Sequence, residues 1–327
     1  MSAQISDTYY GKRNVTVYRT WAAPLTGLAT IPESRFVGRS NTLFAADVDV
    51  IVYGENFAPA YREGDNRMVV ATDTMKNFIL KQSIQYAGAT LEGMLHFIGA
   101  GFLSTYPQMD SLRISAREQC FDGCPVPGTG DAGSERITGP AASIDAMHAP
   151  SDVLFSRRHD DYGFAELLLS RDTTGAVVSE HQCGRLGFQL IKITGSSFSH
   201  FVRDEHTTLP DRADRPLFIH MDIRWRYADP ADMLTETHAT YVAPEQIRDV
   251  AQVVFHQFNS RSIQHLVHEI GTRILDRFPQ LDEVSFDAQN RLWDTAFVHE
   301  TDERIKAYCD PRPPYGSLGL VMKQGAR

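Results

Sequence analysis

Apolar and polar positions alternate from Asn14 to Trp21, where Val15, Val17 and Tyr18 interleave with Thr16 and Arg19, and a period of two predicts a strand. Gly11-Lys12 stands immediately before it. A second strand is predicted over Leu43–Tyr53, closed by Gly54-Glu55-Asn56. Met68–Leu80 opens on the apolar run Met68-Val69-Val70, breaks at Ala71-Thr72-Asp73-Thr74 and turns apolar again at Phe78-Ile79-Leu80. It reads as a buried strand whose mouth carries Thr72 and Asp73, residue types that commonly serve there as a helix cap or turn. From Thr90, with Glu92 nearby, Leu91, Leu95, Ile98 and Phe102 recur at helical spacing until Pro107. Strands at Ser111–Phe121 and Val153–Ser170 complete a first half.

The second half repeats that order. Strands at Leu186–Ile193 and Leu217–Tyr227 precede helices at Pro244–Phe258 and Ser262–Phe278, and strands at Glu283–Phe297 and Ser317–Met322 follow. The duplicated strand-strand-helix-helix-strand-strand order, weaker at the second helix of the first half, predicts α+β architecture: an antiparallel sheet in each half with helices on one face. Between the last two strands of the first half, Gly123–Pro150 is rich in Gly, Pro, Ser and Ala and reads as a long surface insertion.

Length and charge narrow the function classes. A chain of 327 residues suits two domains of roughly 150 residues each. A net charge of -9 argues against nucleic-acid and anionic-membrane partners. No apolar run approaches the roughly 18 residues of a membrane span. The amino-terminal segment has no apolar signal region and the carboxyl-terminal residues are no peroxisomal address, so cytoplasm is the default expectation. Four cysteines, Cys120, Cys124, Cys183 and Cys309, are too few and scattered for a disulfide framework, and reduced thiols are expected.

Few motifs carry chemistry on their own. Cys120 and Cys124 have no second Cys or His pair at finger spacing, and His265, His268 and Glu269 match no zinc-helix pattern, so no metal is expected. The stretch PGTGDAGS lacks the Lys-Ser/Thr and following helix of a phosphate loop. Neither a nucleophile elbow nor a dinucleotide glycine fingerprint is present.

Several segments nevertheless occur together in order and spacing: YGKRNV at Tyr10–Val15, GDNRMVVATDTMKN at Gly64–Asn77, ITGSSFSHFVRDEHTTL at Ile193–Leu209, Arg215, IRWRY at Ile223–Tyr227, SIQ at Ser262–Gln264, and PYGSLGL near the end. Over nearly the whole chain, the insertion excepted, this resembles the urate oxidase (uricase) family, oxidoreductases of purine metabolism with the tunnelling fold. The resemblance implies two tandem tunnelling-fold domains, 1–178 (with the insertion at about 123–150) and 179–327, each a four-stranded antiparallel sheet with two helices on one face. It further implies a homotetramer whose sheets close a β-barrel tunnel, with active sites at subunit interfaces. No cofactor is implied; dioxygen is the co-substrate and a purine-like ring the substrate.

Residue by residue, Phe198 matches the aromatic that stacks on the purine. Arg215 and Gln264 match the pair that grips the ring's edge, a fork and a carboxamide suited to bidentate bonds. Ile263 matches a position contributing backbone contact, and Asp73 a substrate-binding position that, with Thr72, comes from the facing subunit. Asn290 matches the amide that holds dioxygen or water above the ring. Lys12 and Thr72 match a proton-relay dyad, presented from the subunit facing Arg215 and Gln264. Such a Lys needs burial or a cationic neighbour to lose its proton near neutral pH.

The family's histidine two residues after the Asn is replaced here by Leu292, which can neither carry a proton nor accept a hydrogen bond. Its usual histidine-bearing segment before Phe155 is also absent, Ser151-Asp152-Val153-Leu154 standing there instead. The altered relay leaves three functions open. One is a cofactor-free oxidase of urate or a related azaheterocycle using Lys12 and Thr72. The second is an ordinary urate oxidase with His200 or His299 reaching in. The third is a silent purine-binding protein.

Overall fold

A computed structural model describes residues 5–127, 148–159, 161–173, 175–291 and 293–325. The first half contains strands β1 (Tyr9–Thr20) and β2 (Leu43–Tyr53), a short helix α1 (Ala58–Glu63), helices α2 (Thr72–Gln85) and α3 (Leu91–Thr105), then β3 (Ser111–Glu118), the ribbon β4 (Phe121–Pro127) and β5 (His148–Arg157), and β6 (Tyr162–Arg171). The second half runs β7 (Ala176–Lys192), β8 (Leu217–Tyr227), α4 (Pro244–Gln257), α5 (Ile263–Arg277), β9 (Leu281–Asn290), the ribbon β10 (Asp294–Val298) and β11 (Lys306–Cys309), and β12 (Gly316–Lys323).

Eight of these strands form one antiparallel sheet in the order β1-β2-β3-β6-β7-β8-β9-β12. The two halves are therefore continuous through the β6–β7 pairing, which sets Ala165 opposite Cys183. Alternation decides which face each side chain takes. Val48, Val50 and Val52 of β2, Leu112 and Ile114 of β3, Leu167 and Leu169 of β6, and Ile219 and Ile223 of β8 are fully buried under α2–α5. The opposite face carries Asp47, Arg113, Glu166, Asp222 and Arg224, linked by pairs such as Arg113–Glu166 at 2.5 Å and Arg224–Asp222 at 2.9 Å. An antiparallel sheet with one face packed and one wet follows from that period-two pattern. Among the described residues no helix is long and apolar enough to cross a membrane.

Several sequence expectations are corrected. Met68–Leu80 is no strand: residues 68–71 form a turn and a short unpaired stretch, and Thr72 opens a 14-residue helix. Three β-branched or apolar residues are too few to hold a strand, whereas Met75, Ile79 and Ser83, four apart, all bury one helix face. The first half's helices are thus as well formed as the second's. Ser111–Phe121, Val153–Ser170 and Glu283–Phe297 each divide into two strands, and β7 begins ten residues before the predicted Leu186. The ribbon β4–β5 flanks the predicted insertion; residues 128–147 of that insertion lie outside the described residues.

One buried acid ties the halves together. Glu92, in the first turn of α3, is 1 % exposed, accepts the Tyr241 hydroxyl at 3.0 Å and meets the Cys183 thiol. Burial raises its carboxyl from 4.5 to about 7, against the hydrogen bonds. Between these values the unfolded chain has released a proton that the folded chain retains. Stability therefore falls as pH rises from about 4.5, and the loss is complete above about 7. Glu92→Gln keeps an acceptor for Tyr241 but cannot ionise. Its thermal unfolding should lose that pH dependence, and it should be more stable than the parent at pH 8.5 by up to about 3 kcal/mol. Parallel pH profiles for the two proteins would contradict this.

Candidate active site

The first group of predicted site residues gathers around β1. Gly11 lies so close to β2 that a Cβ there would sit 1.9 Å from the Val50 carbonyl oxygen, so only glycine lets the strands pair at this point. Lys12 pairs with Val50, after which the register shifts and Asn14 takes φ +55° while its amide donates to Asp49 Oδ1 at 2.6 Å. A bulge of this kind re-aims the neighbouring side chain. Lys12 is half-buried, and its charge reaches across to Asp73. Asp73 is held below the usual carboxylate range first by its bond with Lys76 at 2.6 Å, with Lys12 a smaller contributor.

Thr72 is the first residue of α2, exposed, and its hydroxyl makes no hydrogen bond among the described residues. The expected capping role is absent: Ala71 occupies the N-cap, and no side chain caps the helix. The entry to α2 is fixed instead by the Tyr10 hydroxyl, which accepts the Val70 amide at 2.9 Å, with the Tyr10 ring edge-on to Phe57. A free hydroxyl at a helix amino terminus can accept and pass on a proton.

The second group gathers where β7 and β9 end and β8 and α5 begin. Phe198 and Arg212 exchange two backbone bonds of 2.9 Å, and the Arg215 amide donates to the Ser196 carbonyl at 2.8 Å. This short ladder sets the Arg215 guanidinium 5.3 Å from the centre of the Phe198 ring, which itself stacks on Phe201. The Ser197 amide donates to the Ser260 carbonyl at 2.8 Å, bringing the same segment against the start of α5. There the Ser262 hydroxyl caps the His265 amide at 3.0 Å. The amides of Ile263 and Gln264, in the first turn, have no intrahelical partner and face the positive end of the helix dipole. Asn290, the last residue of β9, pairs with Ile219 of β8 and so takes the same face as that core residue.

Arg215 Nε and Asn290 Oδ1 are buried and have no hydrogen-bond partner among the described residues. Leaving such groups unpaired costs about 1–3 kcal/mol each, and more for a charged one. The arrangement offers a flat aromatic surface, a desolvated guanidinium, two helix-end amides and an unused carboxamide oxygen. It is complementary to a planar ring with acceptors along one edge.

The two groups do not meet within one chain. Five inter-strand steps separate β1 from β8 in the sheet order, about 24 Å at the usual strand spacing. Lys12, Thr72 and Asp73 lie at one end; Phe198, Arg215, Ile263, Gln264 and Asn290 lie at the other. Both end strands, β1 and β12, expose an unpaired edge.

The remaining candidates fall outside these groups. Leu292 lies outside the described residues. His200 is exposed beside Ser199, its Nδ1 3.1 Å from the Ser199 hydroxyl, and His299 is exposed in the turn between β10 and β11. His220 escaped notice because alternation along β8 places it on the wet face. Its Nε2 is nonetheless buried without a partner, and burial, then the charge of Arg291, lowers its pKa. His265 and His268 both lean on Glu269 at 3.7 and 3.4 Å, and no group of three metal-ligating side chains occurs among the described residues. The four cysteines are free. Burial, then Glu118, pushes the Cys120 thiol up to about 11.

Comparison with known proteins bears on the family and the fold. Residues 181–318 match the family model described as Uricase. A uricase of Haloferax volcanii is 46% identical over 97% of this chain and 98% of its own length. One of Halalkalicoccus jeotgali is 48% identical over 96% and 97%. The uric acid degradation bifunctional protein of Bacillus sp. TB-90 is 41% identical, over 97% of this chain and 60% of its own. Among solved structures, urate oxidase from Bacillus sp. TB-90 superposes with a TM-score of 0.88 at 41% identity, covering 97% of this chain and all of that one.

Proposed function

The chain belongs to the uricase family, and from that premise we propose that it oxidises urate with dioxygen at a site completed by two copies of the chain. The observation that carries the proposal is the pair of buried groups without partners among the described residues, Arg215 Nε, whose guanidinium lies over the Phe198 ring, and Asn290 Oδ1. Urate is flat and carries carbonyl oxygens and ring nitrogens along its edge. It would stack on Phe198 and take the Arg215 fork, with the Gln264 carboxamide and the Ile263 and Gln264 amides on the neighbouring acceptors.

Proton handling falls to Lys12 and Thr72 of the facing copy. Thr72 takes a proton from the bound ring through its free hydroxyl and Lys12 accepts it, leaving an electron-rich anion. That anion passes two electrons to dioxygen held at Asn290. With two protons the oxygen leaves as hydrogen peroxide, and water adds to the oxidised ring. The electron source is the substrate itself, so the balance closes without a cofactor. Leu292 leaves the relay two-membered.

The exposed edges favour this assembly. If β1 of one copy pairs with β12 of another, Lys12 comes within two strand steps of β9 and Asn290, about 10 Å. Repetition of that pairing would close the sheets into a barrel, with a homotetramer as the proposed state. Urate added to the purified protein in air should lose its ultraviolet absorbance. Unchanged absorbance, with oxygen uptake only when another purine or pteridine-like ring is supplied, would replace urate with that substrate class.

A further inference from the structure

Phe198, Arg215 and Gln264 come from three chain segments that share no regular element, so their mutual placement depends on what ties those segments together. Asp214 stands at the junction. Its Oδ2 accepts from the Thr194 hydroxyl at 2.5 Å, and its Oδ1 accepts from the amides of Gly195 at 2.7 Å and Ser196 at 3.4 Å. Gly195 has φ +81°, a left-handed conformation that turns successive amides toward one carboxylate. Burial raises the Asp214 carboxyl, but the Thr194 hydroxyl and the amides of Gly195, Ser196 and Arg215 outweigh it and hold the group below its ordinary range. The next residue along is Arg215, whose own amide returns to Ser196.

Lys192, the last residue of β7, holds the other side. Its ammonium donates to the carbonyls of Phe255 at 2.9 Å, Phe258 at 2.8 Å and His256 at 3.4 Å, groups that α4 leaves open at its carboxyl end. Two residues beyond Phe258, the fully buried Ser260 donates through its hydroxyl to the Ser196 hydroxyl at 3.0 Å. Ser262 then caps α5, and Gln264 follows. The charges of Lys192 and Asp214 act on one another across this junction.

We infer that Asp214 and Lys192 are positioning residues for substrate binding: a carboxylate and an ammonium that together set the Phe198–Arg215 ladder against the amide end of α5 and Gln264. The inference rests on the urate site proposed above. Neither residue touches the ring; each acts through the backbone that carries the residues that do.

Urate binding measured by calorimetry without oxygen separates affinity from turnover. Asp214→Ala and Lys192→Met should each weaken anaerobic urate binding about tenfold or more, and Thr194→Val, which removes one bond to Asp214, about threefold. Arg215→Ala serves as the reference. In that background Asp214→Ala should cost less than it does in the parent, because one of the groups it positions is gone; a merely structural role would multiply the two losses. If Arg215→Ala itself leaves affinity unchanged, the proposed site is wrong. If Arg215→Ala weakens binding while Asp214→Ala does not, or if the losses multiply, the positioning role is overturned. Should Asp214→Ala fail to fold, Thr194→Val decides: full affinity in that variant contradicts the inference.

Discussion

Lys12→Met should lower the turnover rate of urate about 10²- to 10⁴-fold while leaving anaerobic urate affinity within about threefold of the parent. The size follows from the role. A general base positioned on the reacting proton contributes on that scale, and methionine has a similar length with no titratable nitrogen. The sparing of affinity follows from the division of roles, because Phe198, Arg215 and the α5 amides of one copy hold the ring while Lys12 of the other acts on it through Thr72. Stopped-flow or steady-state kinetics alongside calorimetry check both halves. Retained turnover would remove Lys12 from the relay; a parallel collapse of affinity would make it a binding residue instead.

Complementation should give an effect of comparable size in the opposite direction. Lys12→Met and Arg215→Ala chains are each expected to be nearly inactive. Unfolded together and refolded in equal amounts, they should recover about a quarter of parental activity, since a site built from two copies is intact only when each side supplies its own unaltered group. The separation of β1 from β8 makes this prediction sharp. Within a single chain the two groups are about 24 Å apart, and no side chain spans that distance. Activity that stays at the level of the separate variants would mean that each chain builds its own site, or that the copies pair in some other way.

Much of this molecule can be read from its residues, and the failures have physical causes. The limits of β2 and β8, and the helix starts at Thr90 and Ser262, stand in the structure within a residue of where the sequence predicts them, because alternation and helix-start chemistry are local signals. Met68–Val70 misleads because β-branched residues resemble a strand wherever they occur, while the burial of Met75 and Ile79 is visible only at a period of four. The four-residue strand β11 is too short to show a period. For the site, the resemblance supplies residue identities, and the fold divides them between two ends of one sheet, which no local pattern can show. Asp214 and Lys192 have no motif of their own. Their importance lies in backbone groups brought close by tertiary structure, as does the burial of the His220 ring nitrogen and of Glu92.

Oxygen uptake by the purified, chelator-treated protein on addition of urate decides whether this chain is a cofactor-free oxidase. One dioxygen should be consumed for each urate lost, with one hydrogen peroxide formed and no dependence on added metal, flavin or nicotinamide. Urate bound without oxygen uptake, or uptake that appears only when a metal or organic cofactor is restored, would contradict it.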